Sequence, residues 1–303
     1  MTETYGVISD VHGVNINLVS RAFDYLKNEE VDGVVLNGDI IGERSGINPI
    51  NYFTKVLEIA KKSDLKTYVL PGSHEEVKIF EPIIEHFSNK YDSIINTLKI
   101  PKIEKKEFDL VFLPGSDWRA GNARDQGYSL ETENNSGLYK NEKDEYLRVI
   151  NMHCLEELVT NPDKTVLFSH VPAKFNVPET VDVAKFYETK ENFKFGHDIC
   201  EAGSVFPEPV GYNLLIQGAP VEFKEENRGN EKLKRIFEEV GITKNITGHF
   251  HESAGNANDL KNEKVKPKKY NSELFLNASC LDNRILSVVS IDEDNISYTV
   301  EKI

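Results

Sequence analysis

Cysteine is scarce. Three residues, Cys154, Cys200 and Cys280, are odd in number, far apart and form no Cys-x-x-Cys pair. That argues against a disulfide framework and points to a reduced, cytoplasmic setting. Basic charge is also short: 36 Lys and Arg stand against 50 Asp and Glu, a net charge of −14. Loose, phosphate-driven binding to nucleic acid needs clustered Lys and Arg, so strong non-specific binding of that kind is not expected. A nucleotide or a nucleic-acid end could still enter a metal-lined cleft, because bound cations invert the local field. No apolar run approaches 18 residues, and the first eight residues lack a basic region followed by an apolar core. Neither a membrane span nor a signal peptide is therefore expected. With 39% hydrophobic and 28% charged residues, the expectation is a soluble chain with a substantial core, organised as a single domain over 1–303.

The first 90 residues alternate in a simple way. Buried-type runs at Tyr5–Ser9, Val31–Leu36 and Leu65–Leu70 are each followed by apolar residues at helical spacing, over Asn17–Leu26, Asn51–Ala60 and Val77–Phe87. This is the pattern of parallel βαβ units. Residues 100–114 predict a β-hairpin, 115–137 a long polar loop, and 142–158 a helix. Thr165–Phe168 predicts a strand ending in Ser169-His170. Residues 173–228, with Pro178, Pro207, Pro209 and Pro220, fit no alternation and read as an irregular insertion over the site. A helix over Asn230–Val240, a strand over Asn245–Thr247, and strands near 274–277, 285–291 and 296–300 complete the chain.

Five strand ends carry a polar signature: Asp10-x-His12, Gly38-Asp39, Gly72-Ser73-His74-Glu75, His170 and Gly248-His249-x-His251. In open α/β sheets ligands bind where strands end at their carboxyl side. Residues at i and i+2 on an extended chain point the same way, so both members of an x-separated pair can face one site. Asp carboxylates with neutral imidazoles suit Mn, Fe, Zn or Ni. Two such ions can hold both oxygens of an in-line displacement at phosphorus. An Asp-x-His is expected about half a time by chance in this composition, whereas Gly-His-x-His is expected on the order of 0.01 times, so the latter carries the weight.

This ordered set resembles the calcineurin-like metallophosphoesterase superfamily, across essentially the whole chain. The resemblance implies an α/β fold: a four-layer αββα sandwich of two mixed β-sheets flanked by helices, with two divalent ions at the strand ends. It implies that Asp10, His12 and His251 hold one ion, that His170 and His249 hold the other, and that Asp39 bridges. His74 would stand outside the ions as the catalytic residue, stabilising the transition state or protonating the leaving group. Ser73 is the departure, because the family usually has Asn there, whose amide oxygen is a ligand of the second ion. Ser73 as a ligand implies a weaker second site. The stretches 248–255 and 276–279 look like the small intracellular phosphodiesterase branch.

His86 is expected to pack on its helix, and His153 and Cys154 to point to different helix faces. His197 sits in the insertion, from which it could reach the site, although the sequence does not place that loop in space. Arg44, Trp118 and Arg119 are candidates for substrate binding, a guanidinium for a phosphate oxygen and an aromatic rim for a base, with Arg124 nearby. The expected activity is hydrolysis of a phosphoester, monoester or diester, by a metal-bound hydroxide, on a small molecule or nucleotide, with 173–228 capping the cleft. A nuclease of the double-strand-break-repair type shares these blocks but sits badly with the acidic charge. A catalytically inactive scaffold of the same fold is the third possibility, with Ser73 the mark in its favour.

Overall fold

The structure is a computed structural model that describes residues 2–42, 46–119, 123, 125–133, 136–196, 198–278 and 280–303. Arg44, Arg124 and His197 lie outside the described residues.

The alternation expected from the sequence forms strand Glu3–Ile8, helix Ile16–Asn28, strand Gly33–Asn37, helix Pro49–Ser63, strand Thr67–Leu70 and helix Val77–Lys90. Asn15 and Asn48 open the first two helices, each side chain accepting a backbone N–H of the first turn, and Pro49 sits where a helix tolerates a missing donor. The three strands pair in parallel, with Val7 beside Val35 and Val35 beside Tyr68. Ile94–Asn96 extends this sheet at one edge, and Ile285–Asp292 and Asn295–Lys302 extend it antiparallel at the other, giving six strands.

A second six-stranded sheet runs Ala257–Asn258, Leu274–Asn277, Lys244–Thr247, Thr165–Ser169, Asp109–Leu113 and Lys102–Glu104. Its four inner strands are parallel and both edge strands antiparallel, so both sheets are mixed. Strand periodicity sorts the side chains into layers. Val35, Tyr68, Phe112 and Phe168 pack between the sheets, while Val34, Leu36 and Val69 pack under the first three helices. Val111, Leu113 and Leu167 turn outward onto Leu233, Ile236 and Phe237 of helix Glu231–Val240. Helix, sheet, sheet, helix: this is the four-layer sandwich. Its middle is a ladder of rings, Tyr68 on Phe112 at 5.3 Å and Phe112 on Phe168 at 5.6 Å.

Two expectations are corrected. The helix expected over 142–158 is instead the strand Tyr146–Asn151, a 3₁₀ turn Met152–Cys154 and one helical turn Leu155–Leu158. Tyr146-Leu-Arg-Val-Ile is a β-type run, and it pairs with Tyr128–Glu131, inside the expected loop, and with Gly137–Lys140. The described residues of 173–228 form regular elements rather than an irregular insertion. Val183–Thr189 is the centre of a three-stranded sheet between Val205–Pro207 and Val221–Asn227, and helix Glu208–Ile216 packs against it. Ser253 Oγ and Asn277 Nδ2 both donate to Val181 O, which ties this insertion to the loops at the strand ends. No helix among the described residues is long and apolar enough to cross a membrane.

Candidate metal centre

The carboxyl ends of strands from both sheets meet at one point. Glu3–Ile8 delivers Asp10 and His12, Gly33–Asn37 delivers Asp39, and Thr67–Leu70 delivers Ser73 and His74. From the other sheet, Thr165–Ser169 delivers His170, and Lys244–Thr247 leads into His249 and His251. Ligand atoms of Asp10, His12 and His251 lie within 4.8 Å of one another, as do those of Asp39, His170 and His249, and those of His12, Asp39 and His74. Asp39 stands between the other two groups: its Oδ2 is 3.1 Å from His170 Nε2 and 3.7 Å from His12 Nε2.

Tight backbone packing makes this convergence possible. Asp10, His12, Asp39 and His249 all have positive φ, between 44° and 74°. A non-glycine residue there costs of order 1–3 kcal/mol and persists where its surroundings dictate it. Gly72 and Gly248 are required by close approach. A Cβ on Gly72 would sit 2.4 Å from Asp39 Oδ1, and one on Gly248 would sit 2.4 Å from Asp10 Oδ2.

Each carboxylate is held by donors. His249 N donates to Asp10 at 3.1 Å to each oxygen, and Ser9 Oγ donates to Asp10 Oδ2 at 2.6 Å. Ser73 N and His74 N donate to Asp39 Oδ1 at 2.5 and 3.0 Å, and Ser73 Oγ donates to Asp39 Oδ2 at 2.7 Å. His170 Nδ1 is 3.0 Å from Asn37 O, which fixes that nitrogen as the donor and turns Nε2 toward Asp39.

The electrostatics follow. Burial opposes the charge on Asp10, but His12, His251 and His170 outweigh it and hold the carboxyl well below its usual range. Burial likewise opposes the charge on Asp39, and His170 and His74 hold it well below its usual range. Burial works against the His170 cation, yet Asp39 pushes it up to about 10. His251 is also resisted by burial and raised by Asp10 to about 11, while burial and the His170 cation press His249 down to about 3. Two buried carboxylates thus favour positive charge among the imidazoles around them. Divalent cations among two carboxylates and four imidazoles would supply that charge. The donor set is hard-to-borderline oxygen and nitrogen, which fits Mn, Fe, Zn or Ni.

His74 stands beside this set, its ring edge-on to His12 with centroids 4.7 Å apart. Trp118, 56% exposed, lies edge-on to His249 at 6.3 Å, so the structure brings it to the rim. Arg119 follows it, with a buried Nη1 that has no hydrogen-bond partner. Two further histidines among the described residues lie elsewhere. His86 meets Phe87, and His153, on the 3₁₀ turn rather than a long helix, pairs with Glu156 at 2.6 Å.

Sequence reasoning gave no role to Glu75, which is fully buried. Its Oε2 accepts from Gly72 N at 2.7 Å and Asp39 N at 3.1 Å, and its Oε1 accepts from Ile41 N at 2.9 Å. One carboxylate thereby clamps the Asp39 loop to the His74 loop. Burial and the Asp39 charge push its carboxyl up to about 7. The available signal was an acid directly after a loop histidine at a strand end. Asn37 was missed in the same way, and its position one residue before Gly38-Asp39 was the clue.

The calcineurin-like phosphoesterase family model matches residues 4–253, and the chain belongs to that family. It is a metallophosphoesterase, a phosphoric ester hydrolase by family. Among solved structures it is similar to TT1561 of Thermus thermophilus, at 9% identity and a TM-score of 0.54, with 99% of each chain covered. A second structure is similar at 15% identity and a TM-score of 0.56, covering 100% of this chain and 99% of the other. A dimetal phosphatase from Danio rerio, LOC 393393, is similar at 14% identity and a TM-score of 0.46, with 98% of each chain covered. For the first two structures, at these identities, the likeness is one of fold. No curated protein matches the chain significantly.

Proposed function

We propose that this chain hydrolyses a small phosphoester or nucleotide, a diester or a monoester, at a centre of two divalent ions. Asp10, His12 and His251 would hold one ion, His170 and His249 the other, with Asp39 between them and Ser73 beside Asp39. The observation that carries this reading is the placement of Asp39 against both ligand groups at once. Bound ions would supply Lewis acidity toward phosphoryl oxygens and lower the pKa of water.

The rest is the work of the chain. Asp39 is presented in one orientation by two backbone donors and the Ser73 hydroxyl, so its oxygens need no reorganisation when substrate arrives. Glu75 fixes the two loops that carry Asp39 and His74 relative to one another. His74, half-buried at the edge of the cluster, would hold a proton for the departing oxygen or stabilise charge on the phosphoryl group. Trp118 at the rim, with Arg119 and Arg44, would receive the remainder of the substrate. The insertion stitched to the Gly248–His251 loop would narrow access and favour a small molecule over a polymer. The acidic charge of −14 agrees with that preference.

The test is a screen of a chromogenic phosphate monoester and diester against Mn, Ni, Zn, Fe and Mg. Turnover with at least one metal that disappears in Asp39→Asn supports the reading, and diester turnover alone would select the phosphodiesterase branch. No turnover of either ester with any metal would overturn it in favour of a scaffold.

A further inference from the structure

Helices Pro49–Ser63 and Val77–Lys90 lie side by side over the first sheet, with Phe53 stacked on Phe80 at 5.0 Å between ring centroids. Between their carboxyl-terminal portions runs a groove of about 520 Å³, a volume ordinary for a small-ligand site. Ile83, Phe87 and Tyr91 give it apolar walls, and the exposed lysines Lys61, Lys62 and Lys90 line it as well. Both helices start at the end of the sheet that carries Asp39 and His74 and run away from it. At 1.5 Å per residue, Lys61 and Lys90 lie roughly 18–20 Å down their helices. The groove is therefore separate from the metal centre.

A lysine in the last turn of a helix is ordinary, because its charge meets the negative end of the macrodipole. Here the lysines also converge. Lys61 Nζ and Lys90 Nζ come from different helices and lie 5.4 and 5.3 Å from the centroid of one ring, that of Tyr91. Neither they nor Lys62 enters an ion pair among the described residues. The acids of helix Val77–Lys90 are committed elsewhere, Glu81 to Arg148 and Glu85 to Lys99. Glu58 is the acid in the lining among the described residues, which leaves two positive charges unanswered.

This surplus selects the ligand. The chain as a whole carries −14, so a groove that gathers three lysines and one acid is a local reversal of sign that draws an anion. Ammonium groups act as point charges toward phosphate oxygens, and several together suit a multiply charged head. The walls formed by Ile83 and Phe87 suit an apolar body attached to that head. A long polyanion fits less well, because it would leave the groove for a surface that carries the acid excess of the chain. We infer that the groove binds a small organic molecule bearing two or more phosphate charges. Lys61, Lys62 and Lys90 would meet the phosphates, and Ile83 and Phe87 the remainder.

Calorimetric titration of the full chain with ADP tests this, in chelator so that no ester is turned over. The expected result is binding with Kd between about 10 μM and 1 mM, weakened at least about tenfold in the double variant Lys61→Glu/Lys90→Glu. Adenosine, which lacks the phosphates, should bind the wild type at least about tenfold more weakly than ADP. Lys266→Glu/Lys269→Glu, the same change of charge on exposed lysines of another segment, should leave Kd within about twofold. Should the first double variant fail to fold by circular dichroism, Lys61→Gln/Lys90→Gln decides in its place. No binding up to about 5 mM ADP overturns the inference. So does binding that persists in the folded groove variant, an equal loss in the Lys266/Lys269 variant, or adenosine bound as tightly as ADP.

Discussion

Ser73→Ala removes one hydroxyl from a position that is 2% exposed, and its consequence depends on what that hydroxyl does. The oxygen lies 2.7 Å from Asp39 Oδ2 and donates to it, while Ser73 N holds the other oxygen at 2.5 Å. A buried hydrogen bond to a charged acceptor contributes about 1.5–3 kcal/mol. Metal-free Ser73→Ala should lose about that much, which for a chain of this size is roughly 3–6 °C in Tm. The same donor competes with a cation for Asp39 Oδ2. Its loss should leave affinity for the second ion unchanged or raise it by up to about tenfold. Differential scanning fluorimetry of chelated protein reads the first quantity, and calorimetric titration with Mn reads the second. Unchanged metal-free stability together with a second ion weakened tenfold or more would refute this reasoning and make the Ser73 hydroxyl a ligand.

Other consequences follow from neighbouring residues. His74→Ala should lower kcat by about 10²–10⁴ while metal content stays at the wild-type value, since the backbone N–H that holds Asp39 is retained; loss of metal in parallel with activity would show His74 to be a ligand instead. Glu75→Gln places an amide NH₂ against at least one of three backbone N–H groups, which should cost about 1–3 kcal/mol in urea unfolding. Wild-type stability in that variant would remove the clamp from the account. Burial pushes the Cys154 thiol up to about 11, with Glu157 adding to it, so its alkylation should rise about tenfold per pH unit from pH 8 to 10, and a plateau below pH 9 in mass-spectrometric mapping would contradict that.

Much of the site was legible because its residues follow strands whose apolar runs are self-announcing. Gly33–Asn37 and Thr67–Leu70 are short, rich in β-branched or aromatic residues, and buried on both faces, as parallel strands between two layers must be. The ligand-type residues then stand at each carboxyl end in chain order. What stayed hidden depends on contacts distant in sequence. Tyr146–Asn151 has enough apolar residues to suggest a helix, and pairing with Tyr128–Glu131 and Gly137–Lys140 makes it a strand. The insertion carries mixed aromatics and prolines whose order comes from the Val183–Thr189 strand meeting Val221–Asn227 across more than thirty residues. Glu75 reads as a surface acid in a loop until three backbone N–H groups are found on it, two of them from the Asp39 segment. Ser73 reads as an incomplete ligand until its bond to Asp39 is seen.

The central claim is that Asp39 lies between two cation sites built from the two histidine groups. Anomalous diffraction from crystals soaked in Mn tests it most directly. The account predicts two peaks, one among Asp10, His12 and His251 and one beside His170 and His249, with Asp39 facing both and the second peak weaker at limiting metal. A single peak that leaves Asp39 uncontacted, or no peak among these residues, would contradict it.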